Sequence, residues 1–230
     1  MCGAKDNDAV LVVMCLWQRP ERLPDILPML ADQQGPPIRL VLWNNNPGTA
    51  TENRRIVTEF GARGTLSSVE YIDSPSNLLG MARFVVIRAA VRGGYSLPFA
   101  ITLDDDQAVP ADFVATLAAR GGPETVAGWW ACSIHGTYWE RVELHDDGAA
   151  ADYVGTGGSV WPVAIADDSF FRDIPLRFRM IEDLWASVTA KRRGWALTKV
   201  ASDVHFVLRE RDQVYGMEDR KTEFYAYLNR

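Results

Sequence analysis

Cysteine, histidine and excess basic charge are all scarce in this sequence. Three cysteines stand among 230 residues, Cys2, Cys15 and Cys132, an odd number at wide spacing. That pattern excludes a disulfide framework and a zinc cluster built on paired thiolates. The three histidines, His135, His145 and His205, are too scattered to make a metal motif among themselves. Lys and Arg total 24 against 30 Asp and Glu, a formal charge of −6. Such a balance argues against a general nucleic-acid binder while leaving room for a local basic pocket. The apolar run Ala9 to Trp17 is too short to span a bilayer and is cut off by Gln18, Arg19 and Pro20,. No secretory leader is visible, so no transmembrane segment and a cytoplasmic location are expected.

What is present fits one α/β domain. The composition is 47% hydrophobic and 23% charged, and the length supports a large core,. Residues 9–17 predict a central strand. Pro20 then opens a helix with Leu23, Ile26, Leu27 and Leu30 on one face,. Ile38 to Trp43 predicts the second strand, ending in the turn-forming Asn44-Asn45-Asn46-Pro47-Gly48,. A helix follows over about 51–60 and a strand over 69–72. Ser76 is read as the cap of a helix whose stripe is Leu78, Leu79, Ala82, Val85, Val86 and Ala89, with Arg83 off its centre,. This alternation is what a largely parallel, doubly wound sheet writes into sequence. The second half changes texture: residues 126–134 and 138–144 predict antiparallel or edge strands. A helix over about 179–191 buries Met180, Ile181, Leu184, Trp185 and Val188, which leaves Asp183 and Ser187 on another face. The charged, aromatic tail from Glu210 is either a final helix or a flap.

The chemistry concentrates at Phe99-Ala100-Ile101-Thr102-Leu103-Asp104-Asp105-Asp106. A buried strand carries three acids in a row only if they emerge at its open carboxyl end, the edge where α/β sheets bind ligands. In extended backbone Asp104 and Asp106 face one way and Asp105 the other. That pair suits Mg²⁺ or Mn²⁺; an acidic surface turn is the plain alternative. Tyr153-Val154-Gly155-Thr156-Gly157-Gly158-Ser159 lacks the Gly-Lys-Ser/Thr ending of a P-loop. Its glycines serve either a tight turn or a close backbone approach to a ligand,.

Trp17-Gln18-Arg19-Pro20, Leu40-Val41-Leu42-Trp43-Asn44-Asn45, the Asn77…Arg83 helix, Asp104-Asp105-Asp106 and Tyr153–Ser159 followed by Glu182-Asp183 come in an order with precedent. The chain resembles nucleotide-sugar glycosyltransferases of the GT-A fold, most of all the exostosin-like domain. The resemblance implies a single domain over 1–230, with a nucleotide-sugar half at 9–122 and an acceptor half with a tail at 123–230. It implies an α/β fold and a mostly parallel central sheet flanked by helices; Gln18 in place of the family's usual Asn, with a short chain and no membrane anchor, fits a small bacterial enzyme. The implied donor is a UDP-sugar, from which a hexosyl or N-acetylhexosaminyl group passes to a sugar or small-molecule hydroxyl, with retention. Arg19, Asn44 and Asn45 would lie near nucleobase and ribose, and Asn77 and Arg83 near ribose, diphosphate or sugar. Asp104 and Asp105 would also serve the donor. Asp106 with Asp104 and His205 would ligate Mn²⁺ or Mg²⁺, and Glu182 and Asp183 would be the catalytic acids. Each also has a plain reading: Asn44–Asn46 as a turn, Arg83 as a surface helix residue, Glu182-Asp183 as a helix-start pair. The alternatives are an inverting, family-2-like transferase with Asp183 as general base, and a nucleotide-sugar binder without turnover. Self-association is left open.

Overall fold

In the computed structural model, which describes residues 9–207 and 217–229, the apolar runs become strands of one central sheet. Strand β1 (Val10–Leu16) passes through a 3-10 turn at Pro20–Arg22 into helix α1 (Leu23–Ala31). Next come β2 (Ile38–Asn44), α2 (Ala50–Phe60), β3 (Leu66–Asp73), α3 (Met81–Arg92) and β4 (Phe99–Asp104). The middle of the chain supplies β5 (Gln107–Ala108), α4 (Phe113–Ala118), β6 (Thr125–Gly128) and β7 (Ala131–Ile134). Strands β8 (Arg141–Glu143), β9 (Tyr153–Val154) and β10 (Ser159–Pro162) follow. The last elements are α5 (Asp168–Asp173), α6 (Glu182–Arg192), β11 (Ala196–Lys199), β12 (His205–Phe206) and α7 (Glu218–Leu228).

The seven-stranded sheet has the order β11-β6-β10-β4-β1-β2-β3. Its strands run parallel except β10, which is antiparallel to both β4 and β6. The chain winds outward from β1 to β2 and β3, then returns to place β4 on the other side of β1. That reversal opens a crevice at the carboxyl ends of β1 and β4, where open α/β sheets bind ligands. Alternate residues of β1 feed opposite faces. Leu11 and Val13 join a cluster with Phe84, Trp161, Phe178 and Phe224, while Val10, Val12, Met14 and Leu16 join Leu23, Leu27 and Phe113,. Among the described residues no helix is long and apolar enough to cross a membrane.

Three elements differ from the sequence reading. Helix α3 starts at Met81, because Asn77 Oδ1 accepts the Leu79 amide at 2.7 Å and Leu79 sits at φ +57°. An Asx-type turn thereby displaces a Ser76 cap. The buried face of α3 is Met81, Ala82, Phe84, Val86, Ile87 and Ala90, and Arg83 is buried with it. Helix α6 starts at Glu182, and Ser187 is buried, exchanging hydrogen bonds with the Val154 backbone N–H and C=O. Strand β6 enters the main sheet parallel to β11, whereas β7, β8 and β9 form a separate antiparallel sheet. The end of the chain docks as helix α7, with Phe224 stacked on Phe178 at 4.3 Å between ring centroids. Tyr215 and the start of the tail lie outside the described residues.

Candidate functional site

Two cavities share one wall at the sheet's carboxyl edge. The larger, about 410 Å³, reaches Trp17, Arg19, Asn45, Asn77, Asp105 and Asp106. The smaller, about 200 Å³, reaches Gln107, Trp130, Tyr153, Thr156, Asp183 and Phe206. Arg83, Asp104, Met180, Glu182, Met217 and Lys221 line both.

Strand β4 ends at Asp104 and the chain turns at Asp105-Asp106, so strict alternation does not reach the third acid. Asp105 differs in its partners: it forms an ion pair with Arg19 Nη1 at 2.7 Å and accepts the Trp17 amide at 3.3 Å. Burial raises the Asp105 pKa, with Arg19 pulling it back,. Asp106 lies 3.6 Å from the second guanidinium nitrogen of Arg19. Burial and then the charge of Asp104 push its carboxyl up to about 6. Asp104 is the most open of the three, its side chain 31% exposed and paired with Arg83. Closely set carboxylates in a half-buried turn are a donor set that a hard divalent cation relieves, so Asp104 and Asp106 fit Mn²⁺ or Mg²⁺. Among the described residues no three metal-binding side chains come together. His205 is exposed, paired with Ala108 across β5 and β12, and stands apart from both cavity walls; its neighbour Phe206 lines the smaller one. The structure therefore does not unite His205 with the two acids.

Arg83 ties the two halves of the cleft together. Its guanidinium donates to Glu182 Oε1 at 2.8 Å, to Thr156 Oγ1 at 3.2 Å and to Asp104 Oδ1. Thr156 is itself held, its carbonyl accepting from Thr102 Oγ1 at 2.5 Å. Burial opposes the Arg83 charge, but Asp104 foremost among the neighbouring anions raises its pKa further above the usual range. Burial raises Glu182 to about 7 against the pull of Arg83, with Asp183 adding to the rise. Two glycines permit this packing. A Cβ at Gly157 would strike the Asp104 carboxylate, and one at Gly80 would strike Glu182. Glu182, expected as a catalytic acid, is the buried partner of Arg83 and lines both cavities. Asp183, half-buried where Glu182 is buried, lines only the smaller cavity. Tyr153 donates its hydroxyl to Asp183 Oδ2 at 2.5 Å, and the Leu184 amide meets Oδ1 at 2.7 Å. Burial, and then the Asp183 charge, hold the Tyr153 phenol well above its ordinary pKa, so it remains a donor.

The asparagines divide. Asn44 is wholly buried and spent on its own turn and on Asp73, so it does not line the cleft. Asn45 lines the larger cavity and clamps the turn before α3, accepting from Leu78 N and donating to Leu79 O. Asn77 is exposed at the cavity mouth. Cys15 is also in that wall, its thiol pushed up to about 12 by burial. Tyr153, Thr156, Gln107, Trp130, Phe206 and Lys221 are cleft residues that the sequence reading gave no function. Only the glycine-rich stretch around Thr156 carried a signal.

No family model matches this chain, and no curated protein does. Solved structures do. S. aureus TarS superposes with a TM-score of 0.56 at 14% identity, over 87% of this chain and 37% of that one. S. aureus TarS 1-349 in complex with UDP gives 0.55 at 16% identity, over 85% of this chain and 58% of that one. The same protein in complex with UDP-GlcNAc gives 0.54 at 17%, over 85% of this chain and 56% of that one. The chain therefore spans between about a third and three fifths of the structures it matches. At these identities the likeness fixes the fold alone: the chain shares the α/β architecture of the TarS structures, a mostly parallel central sheet flanked by helices.

Proposed function

We propose that this chain moves a sugar from a UDP-sugar to a hydroxyl acceptor, the donor diphosphate meeting the Asp104–Asp106 turn and the acceptor meeting Asp183. One observation carries the reading. Two acid groups from distant parts of the chain face a shared cleft at the sheet's switch point, one beside the larger cavity and one beside the smaller. The UDP and UDP-GlcNAc complexes of TarS support the donor class. On this reading 9–122 is the donor half and 123–230 the acceptor half.

Asp106 and Asp104 would hold Mn²⁺ or Mg²⁺. When bound, the cation supplies positive charge to the diphosphate as its bond to the sugar breaks. Arg83 and Glu182 keep Asp104 in place, and Thr156 and Gly157 let backbone come close to it. In the transfer, the acceptor oxygen bonds to the anomeric carbon and the bond from that carbon to the phosphate oxygen breaks, its electron pair leaving with UDP. The exostosin-like expectation is retention, with the acceptor proton passing to the leaving phosphate. The geometry of Asp183 favours the second reading, a single displacement with inversion. Tyr153 and the Leu184 amide fix this carboxylate against the smaller cavity, where it can take the acceptor proton as a general base,.

The test is a panel of nucleotide sugars incubated with Mn²⁺ and read as release of free nucleoside diphosphate, since slow hydrolysis needs no acceptor. Turnover of a UDP-sugar is expected. A folded chain that neither binds UDP nor releases it from any donor would sink the reading. NMR of the product from an α-linked donor then separates retention (α) from inversion (β).

A further inference from the structure

Helix α7 carries one residue whose place in its packing is unusual. Met217, Lys221, Phe224 and Leu228 follow the 4-3-4 spacing of a stripe that faces the body of the protein,. Phe224 and Leu228 are buried there, and Phe224 stacks on Phe178 at 4.3 Å and lies 6.4 Å from the Trp185 ring. Arg192 donates to the Leu228 carbonyl at 2.5 Å and fixes the far end of the helix. Trp139 Nε1 donates to Thr222 Oγ1 at 2.9 Å on its flank. Lys221 thus occupies a position where the pattern calls for an apolar side chain. A lysine so placed ordinarily carries its ammonium out to water. Here it lines both cavities of the cleft.

Charge in the cleft gives that position a purpose. Among the described residues the cations on the two walls are Arg19, Arg83 and Lys221. Arg19 is paired with Asp105, and Arg83 with Asp104 and Glu182. Among the described residues Lys221 makes no ion pair, and its recorded contact is a cation–π approach of 5.4 Å to the Tyr138 ring. A nucleoside diphosphate brings several negative charges into a cleft already lined by Asp104, Asp105, Asp106, Glu182 and Asp183. The two arginines have their charge committed to those acids. Lysine, a flexible point charge, is suited to a phosphate that arrives and leaves.

We infer that Lys221 is a ligand of the donor's diphosphate and that helix α7 completes the donor site. This deepens the donor reading above and rests on it. The fold places the anchor of α7 on Phe178 and α6, so the acceptor half reaches over to the phosphate that the β4 turn holds from the other side.

Calorimetry of the full chain with UDP and with uridine, Mn²⁺ present, tests it. Lys221→Met suits the stripe's apolar character, so the thermal midpoint should hold or rise while the charge is lost. UDP affinity should fall about tenfold to a hundredfold, the range of one charge-assisted hydrogen bond, and uridine affinity should stay within about twofold. Lys221→Arg, which keeps the charge, should recover most of the loss. K221M that binds UDP like the wild type overturns the inference and leaves the donor reading standing; it is also the result expected if Lys221 meets the acceptor. Equal loss for uridine and UDP overturns it too, because the lysine would then act through packing. A wild-type chain that binds no UDP overturns the donor reading and this inference together.

Discussion

The cleft is walled by two groups of neighbouring acids, and in each group adjacent residues have opposite fates. All three acids at the end of β4 reach the larger cavity, but Asp105 is sealed by its 2.7 Å ion pair with Arg19, while Asp104 is the more exposed and Asp106 lies 3.6 Å from that guanidinium. At the start of α6, Glu182 touches both cavities but is buried and sealed by Arg83, while the half-buried Asp183 lines the smaller cavity and is held by Tyr153. Each sealed acid helps to neutralise a buried arginine, Asp105 for Arg19 and Glu182, together with Asp104, for Arg83. Each open acid keeps lone pairs for something from outside. The lesson is that adjacency in the chain says little about shared chemistry. A turn or one step of helix rotates neighbours by about 100° or more, and burial then decides which of them is structural.

The hardest way to break this pattern is to remove an arginine. Arg83→Met would leave Glu182 and Asp104 facing each other without their cation. Urea melts should show a loss of about 3–5 kcal/mol, the cost of uncoupling a buried pair from one side. Arg83→Met combined with Glu182→Gln should cost less than the sum of the single changes, because one stranded charge is gone. Additive losses would mean that the pairing carries no energy of its own.

Asp183 should behave in the opposite way. Asp183→Asn keeps the shape, its oxygen still accepting from the Leu184 amide and its NH2 able to donate to the Tyr153 oxygen,, so stability should move little and UDP affinity should stay within about threefold. Turnover should fall at least about 100-fold, roughly 2.7 kcal/mol of transition-state stabilisation. Glu182→Gln should reverse the order, with the larger effect on the melt and the smaller on turnover. Equal kinetic losses in the two variants would erase the distinction between sealed and open acid.

The parts of this arrangement differ in how far residues alone disclose them. The strands β1, β2 and β4 and the acids at the edge of β4 follow from apolar runs that end abruptly in polar residues, a local signal. The start of α3 does not. It is set by Asn45 reaching across from β2 to hold the turn at Leu78 and Leu79, and propensity around Ser76 has no knowledge of that clamp. Spacing alone leaves Arg83 open between a surface helix residue and a donor contact, because its partners Asp104 and Glu182 lie 21 and 99 positions further along the chain. Ser187 is buried for the same reason: β9 covers what the helical spacing alone leaves as the outer face of α6. Asn44 shows the converse limit, since the turn reading and the ligand reading use the same residues and only the hydrogen bonds separate them. Lys221, by contrast, stands out in sequence once Phe224 and Leu228 are known to face inward.

The smallest expected effect concerns Asp106, which lies between the sealed and the open condition. Arg19 is 3.6 Å away, yet burial and then Asp104 raise its pKa to about 6. A carboxyl must be ionised to ligate a divalent cation, so proton and metal compete for it. Above about pH 6 the carboxylate form prevails and the competition is weak; below it each unit of acid favours the protonated form tenfold. If Asp106 bridges a cation to the donor, Mn²⁺ should tighten UDP binding relative to EDTA at pH 7. That enhancement should shrink by roughly tenfold on going to pH 5, about one unit below the pKa. Asp106→Asn should lose both the enhancement and its pH dependence while leaving uridine binding unchanged. Equal UDP affinity with Mn²⁺ and with EDTA at pH 7 would place Asp106 with Asp105, as an acid that serves the fold. An enhancement that persists undiminished at pH 5 would move the cation to Asp104 alone.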